Sequence, residues 1–158
     1  MLSRRRFVGQ VGGLCLVGLT SRRLIGDLPL EQTAKTPITV YKSSSCGCCA
    51  KWVEHLRANR FDPTVHDRDD MDSLKDQLGV PKPVRSCHTA EIAGYLIEGH
   101  VPASDVRRLL AQRPKLAGLA VPGMPTGTPG MAESGAPTGG YDVLAFHTTG
   151  ATLVFAGH

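Results

Sequence analysis

Apolar and polar positions along the chain change period several times, and each change marks an element. "ITVY", residues 38–41, is a short β-rich run that predicts a buried strand. Cys49, Trp52, Val53 and Leu56 then recur at helical spacing, which predicts a helix over residues 47–59 with Ser44 or Ser45 as its cap. "FDPTVHD" predicts a second strand around residues 64–66, and "DDMDSLKDQLGV" a short helix that starts near Asp70 or Asp72 and stops at Gly79. Beyond Cys87, "HTAEIAGYLIEGHV" reads as two strands joined by a turn at Ala93 and Gly94. "PASDVRRLLAQRP" reads as a helix with Val106, Leu109 and Leu110 on one face. Over residues 118–140 no period survives. That stretch is dense in Gly and Pro and predicts a long irregular loop, a kind that is usually functional or disordered. "YDVLAFHTTGATLVFAGH" predicts a terminal hairpin that holds the loop's far end.

Residues 37–113 therefore run β-α-β-α-β-β-α, with a parallel first pair of strands joined by a right-handed crossover. This is the order of the thioredoxin fold. The expected class is α/β: a thioredoxin-like β-α-β-α-β-β-α core with a Gly/Pro-rich loop and a C-terminal β-hairpin.

Charge changes the picture only at the N-terminus. Arg4, Arg5, Arg6, Arg22 and Arg23 lie in the first 23 residues, which contain no acidic residue. Setting those five aside from the 18 lysines and arginines leaves 13 against 14 aspartates and glutamates, a net charge of −1. No basic patch remains to argue for nucleic-acid binding. "SRRRFV" followed by a weakly apolar, Gly-rich stretch has the layout of a Tat export signal. Its apolar part is shorter than the roughly 20 residues a bilayer-spanning helix needs, so no stable membrane span is expected. The expected organisation is a Tat-type signal segment over 1–23, a linker over 24–36 and a metal-binding domain over 37–158. Export places the protein in the periplasm. Cys15 belongs to the apolar part of the leader, which leaves four cysteines in the mature chain.

Those four carry the chemistry. In a thioredoxin-like core the loop after the first strand meets the N-terminus of the first helix. Unpaired N–H groups and the helix dipole there favour negative charge and lower thiol pKa values. Cys46 and Cys49 have the C-x-x-C spacing of a reversible disulfide, Cys48 lies between them, and Cys87 falls where the third strand begins beside the same loop. At about 100° per residue, Cys46 and Cys49 share a helix face and Cys48 points well away from both. One ion gathers all three sulfurs only if Cys46 sits outside the helix as a cap. Several ions bridged by shared thiolates fit such a fan more readily. Thiolates are soft ligands that select Cu(I), Zn²⁺ or iron–sulfur clusters.

Met124 and Met131 in "GMPTGTPGM" bear on the choice of metal, since thioether is a poor zinc ligand and a good Cu(I) ligand. Hydrophobic contact is the alternative role for these two side chains. His88, beside Cys87, is a further candidate ligand, and His100 in "EGHVP" a weaker one. His55, His66, His147 and His158 read as solvated or structural, and Trp52 as core.

With these residues in place, the chain resembles the thioredoxin-like metal-binding family that includes the periplasmic copper-resistance proteins called CopG. The likeness runs from about Ile38 to the C-terminus and rests on "YKSSSCGCCAKWVEHL", "HDRDDM", "SCHTAEIAGYLIEGHVPASDVRRLL" and "GLAVPGMPTGTPGM". It implies a periplasmic Cu(I)-binding protein for copper resistance whose thiolates hold copper as a multinuclear cluster. Carried over, Cys46, Cys48, Cys49 and Cys87 are the cysteine ligands, with Met124 and Met131 as additional contacts. The partners it implies are copper ions and periplasmic copper chaperones or efflux components. Where the family has an acidic residue directly after the second loop methionine, this chain has Ala132 and then Glu133.

Two other readings stand beside it. One is a periplasmic thiol–disulfide oxidoreductase acting through Cys46 and Cys49, although "SCHT" lacks the proline that such enzymes place beside the dithiol. The other is a structural zinc–thiolate protein, although such sites usually show two separated C-x-x-C pairs. The copper reading makes this a metal-binding protein rather than an enzyme, with any redox activity using the same sulfurs.

Overall fold

The computed structural model describes residues 34–131 and 140–158. The expected leader, most of the linker, and Ala132 with Glu133 lie outside the described residues.

Seven strands form one mixed sheet in the order β2-β1-β3-β4-β5-β6-β7. Strand β1 (Thr36–Lys42) lies parallel to β2 (Phe61–Asp67) and antiparallel to β3 (His88–Ile92). The first strand thus begins inside the stretch expected to be linker, and β2 starts three residues before its apolar core suggests. Both extensions are one ladder, since Thr36 pairs with Phe61 and Lys42 with Asp67. Helix α1 (Gly47–Ala58) connects β1 to β2, and α2 (Met71–Gln77) follows β2 with Asp70 Oδ1 accepting from the Ser73 amide as its cap. A 3-10 turn, Lys82–Val84, leads into β3.

Strands β3 and β4 (Tyr95–Glu98) form a tight antiparallel hairpin. Ala93 and Gly94 supply the two positive φ angles, 48° and 84°, that a two-residue turn of this hand requires. Helix α3 (Ala103–Gln112) then crosses to β5 (Gly118–Ala120), which runs parallel to β4, as a helical crossover permits. This strand corrects the expectation of an irregular stretch from residue 118 onward. It is three fully buried residues held between β4 and β6 (Asp142–Phe146), so its conformation comes from its neighbours rather than from any pattern of its own. Strand β7 (Thr152–Gly157) closes the expected terminal hairpin at the sheet edge.

The sheet buries both faces. Trp52, Val53 and Leu56 of α1 and Val106 and Leu109 of α3 pack with Ile38, Val40, Ala90, Ile97 and Leu119 in one core. Residues of opposite parity, Leu96 and Ala120, join Val80, Val84 and Phe146 in a smaller cluster, as strand alternation demands. Among the described residues no helix is long and apolar enough to cross a membrane.

Candidate metal centre

The site begins where β1 ends. Lys42 Nζ pairs with Asp67 Oδ1 at 2.8 Å and donates to the Ser43 carbonyl at 3.1 Å, which ties the start of the loop to β2. The chain then turns, with the Cys46 amide donating to the Ser43 carbonyl, and enters α1. Neither Ser44 nor Ser45 caps that helix. Cys46 does, its Sγ accepting from the Cys49 amide at 3.3 Å.

That cap changes where the sulfurs point. With Cys46 in extended geometry outside the helix, its Sγ comes within 3.5 Å of Cys48 Sγ. The helical-wheel expectation that Cys48 points away from Cys46 is therefore wrong, because it places Cys46 on a helix the residue does not belong to. Cys46 and Cys49, 5.3 Å apart at Cα, are joined as a disulfide, while Cys48 and Cys87 are free thiols. All four sulfurs lie within 4.8 Å of one another. Ligand sulfurs around a tetrahedral ion with metal–sulfur bonds of roughly 2.3 Å stand somewhat closer than that, so with the Cys46–Cys49 disulfide reduced the four positions are near enough to share a soft metal ion.

Cys87 also belongs to a second group. Its Sγ lies 3.2 Å from His88 Nδ1 and 3.2 Å from His100 Nε2, and these three ligand atoms again fall within 4.8 Å of one another. The β3–β4 register explains why. Thr89 pairs with Glu98, and carrying that register two residues further sets Cys87 opposite His100. His100 thus stands nearer the site than its place in "EGHVP" suggests, and the two-residue turn at Ala93 and Gly94 is the sequence signal that fixes this register.

Burial tunes these donors. It pushes the Cys87 thiol up to about 11, helped by the neighbouring Cys48, so this sulfur keeps its proton until a metal or other cation displaces it. The same desolvation, then His100 and Lys75, holds His88 well below the ordinary imidazole range. Burial lowers His100 too. Both rings are neutral at neutral pH and offer lone pairs. His88 is fully buried, its Nε2 has no hydrogen-bond partner, and its ring packs 4.3 Å from that of Trp52. Trp52 is core, as expected, and its Nε1–H donates to the Val101 carbonyl at 2.9 Å.

The Gly/Pro loop folds back over the site. Pro129 O accepts from His100 Nδ1 at 2.7 Å, and Thr128 is fully buried, with its hydroxyl donating to the Pro125 carbonyl. At Gly130, φ is +89°, and a Cβ there would stand 2.8 Å from the Trp52 nitrogen and 2.9 Å from the Cys48 carbonyl oxygen. Met131 follows this contact directly and is half-buried, whereas Met124, before it, is 50% exposed. The structure therefore gathers Cys46, Cys48, Cys49, Cys87 and His88 and adds His100, whereas Met124 and Met131 flank the docked segment in sequence.

Three of the four other described histidines have partners elsewhere. His55 Nε2 accepts from the Ala103 amide, His66 stacks on Tyr41, and His158 pairs with Asp105.

An α/β domain that collects four sulfurs and two imidazoles at one end of its sheet has the donor set of a protein able to hold a metal. Comparison with known proteins gives that class a family. A family model described as "Protein of unknown function, DUF411" matches residues 84–131. No curated protein matches the chain. Two solved structures of copper resistance protein copG, Form 1 and Form 2, share 44% sequence identity with it at a TM-score of 0.73, covering 78% of this chain and 98% of theirs. The chain belongs to the CopG family of copper resistance proteins.

Proposed function

We propose that this protein binds Cu(I) in the periplasm as part of copper resistance, after export by the Tat pathway, and holds it in a thiolate-bridged cluster. The observation that carries the reading is the sharing of Cys87 between the four-sulfur group and the pair His88 and His100. Six donors exceed what one four-coordinate ion uses. A thiolate common to two donor groups is the natural bridge between ions, and thioethers at Met124 and Met131 can complete the outer face. The strand order β2-β1-β3-β4, with β1 and β2 parallel and β3 antiparallel, supports a thioredoxin-like core, to which β5, β6 and β7 are additions.

In this account each residue has a task. Cys48 and Cys87 are thiols ready to exchange a proton for copper. Two electrons from a thiol reductant open the Cys46–Cys49 disulfide and supply the remaining sulfurs. His88 and His100 bring neutral nitrogen donors from the β3–β4 hairpin. Copper ions are the cargo, and periplasmic copper chaperones or efflux components are the partners that would load or empty the site.

A second reading, thiol–disulfide exchange, is favoured by one observation, the bonded Cys46–Cys49 pair at the helix N-terminus. Recovery of the protein from the periplasmic fraction of copper-supplemented cells, followed by metal analysis and copper oxidation-state spectroscopy, tests the proposal. Several Cu(I) per chain is the expected result. Metal-free or zinc-loaded protein, or retention in the cytoplasm, contradicts it.

A further inference from the structure

Behind Cys87 lies a buried charged group that none of the roles above uses. Glu98, at the end of β4, is fully buried, and Lys75 of α2 is nearly so. The Lys75 ammonium contacts Glu98 Oε1 and donates to Thr89 Oγ1 at 2.8 Å. The Thr89 hydroxyl in turn donates to Glu98 Oε2 at 2.7 Å, and the Ser86 amide donates to Oε1 at 2.6 Å. Thr89 and Glu98 are register partners on the sheet face opposite the main core, where α2 covers them.

Placing an ion pair here is costly in desolvation, and apolar residues of the same volume usually serve a fold as well or better. What a carboxylate does that an apolar side chain cannot is accept the Ser86 N–H. That amide belongs to the residue immediately before Cys87, in the connection between the 3-10 turn and β3, where no ladder partner takes it. The next residue of β4's exit, Gly99, holds the same segment from the other side. Its N–H donates to the His88 carbonyl at 3.0 Å, and a Cβ on it would stand 2.5 Å from Ser86 Oγ. Residues 86–88 are thus clasped by residues 98 and 99, and His100 follows at once with its Nε2 on Cys87 Sγ.

We infer that Glu98, held in place by Lys75 and Thr89, is a positioning residue for copper binding: its carboxylate fixes the Ser86 amide and thereby sets the Cys87 sulfur between the helix cysteines and the two imidazoles. The inference rests on the copper reading of the site. It places the control of Cys87 in a side chain that touches no metal, as supporting groups do in other metal sites.

The test is a double-mutant cycle read by anaerobic competition of the full-length protein with a Cu(I) chelator, alongside the apo melting temperature. Glu98→Asp keeps the charge for Lys75 but withdraws the acceptor from Ser86. It is expected to weaken Cu(I) binding about tenfold with the apo protein still cooperatively folded. In a Cys87→Ser background the same change is expected to have no further effect, because its influence passes through that sulfur. Glu98→Gln combined with Lys75→Met removes the ion pair but retains an acceptor of full length, and is expected to restore affinity relative to Glu98→Asp. If Glu98→Asp does not fold, Glu98→Leu combined with Lys75→Met, which deletes the acceptor without stranding a charge, takes its place. Equal losses in the Cys87 and Cys87→Ser backgrounds, or no loss in either, overturn the positioning role while leaving the copper reading intact. If Cys87→Ser alone leaves Cu(I) affinity unchanged, both fall together.

Discussion

His100 donates its Nδ1 proton to the Pro129 carbonyl at 2.7 Å. A carbonyl can only accept, so this contact fixes the tautomer of the neutral ring and leaves the Nε2 lone pair facing Cys87 Sγ, 3.2 Å away. One hydrogen bond thereby couples the docking of the Gly/Pro loop to the orientation of a candidate metal donor.

Gly130→Ala tests that coupling. The substitution meets a positive φ and two backbone atoms of α1 at under 3 Å, whereas Gly123, with φ +76°, has nothing within 4 Å. Gly123→Ala is expected to cost about 1–2 kcal/mol from backbone strain alone. Gly130→Ala adds about 1–3 kcal/mol of overpacking and lifts the loop from the site. Thermal melts should therefore show the larger loss at Gly130, and chelator competition should show weakened Cu(I) binding only there.

The methionines separate packing from ligation. Met124→Leu with Met131→Leu preserves volume, so its stability cost should stay under about 1.5 kcal/mol. If the thioethers hold copper, the double variant releases Cu(I) to a chelator more readily while the apo melting temperature barely moves. Equal affinities return both side chains to a structural role.

Away from the site, His55 is expected to give the fold a pH dependence. Helix α3 has no side-chain cap of its own at Pro102, and His55 Nε2 accepts the Ala103 amide across the helix–helix contact at 3.1 Å. Burial, then the Arg107 guanidinium, holds this imidazole below its ordinary 6.5; Asn59, its other neighbour, is uncharged. The unfolded chain takes up the proton before the folded one does. The cap's contribution is therefore complete above pH 6.5 and is lost as pH falls below it, until the lower folded pKa is reached. His55→Ala should cost about 1 kcal/mol at pH 8 and distinctly less at pH 5, in denaturant titrations of the apo protein. The same cost at both pH values contradicts the capping role.

How much of this was legible in the sequence depends on whether a pattern or a neighbour decides each feature. Helix α1 was, because Cys49, Trp52, Val53 and Leu56 repeat at the helical period and are all buried. The β3–β4 hairpin was, through the φ demands of its turn at Ala93 and Gly94. Strand β5 was not, since three residues carry no alternation and only pairing with β4 and β6 extends them. Spacing singles out the four cysteines but does not give the direction of Cys48. A cysteine, not a serine, caps α1, and a cap residue does not obey the helical wheel. Lys75 and Glu98 gave no signal at all, as charged residues in short amphipathic elements normally face water.

Cys48 separates copper binding from thiol–disulfide exchange most sharply. A dithiol exchange enzyme needs Cys46 and Cys49, and a third thiol 3.5 Å from Cys46 Sγ serves it only as a source of wrong disulfides. A copper site needs that sulfur to extend binding beyond the pair. Anaerobic Cu(I) titration of the fully reduced protein, compared with Cys48→Ser and Cys87→Ser, decides the matter. Fewer ions bound, or binding weakened by at least about tenfold, in both variants is the predicted result. Unaltered Cu(I) binding by Cys48→Ser, together with rapid disulfide turnover through Cys46 and Cys49 in the unsubstituted protein, would contradict it.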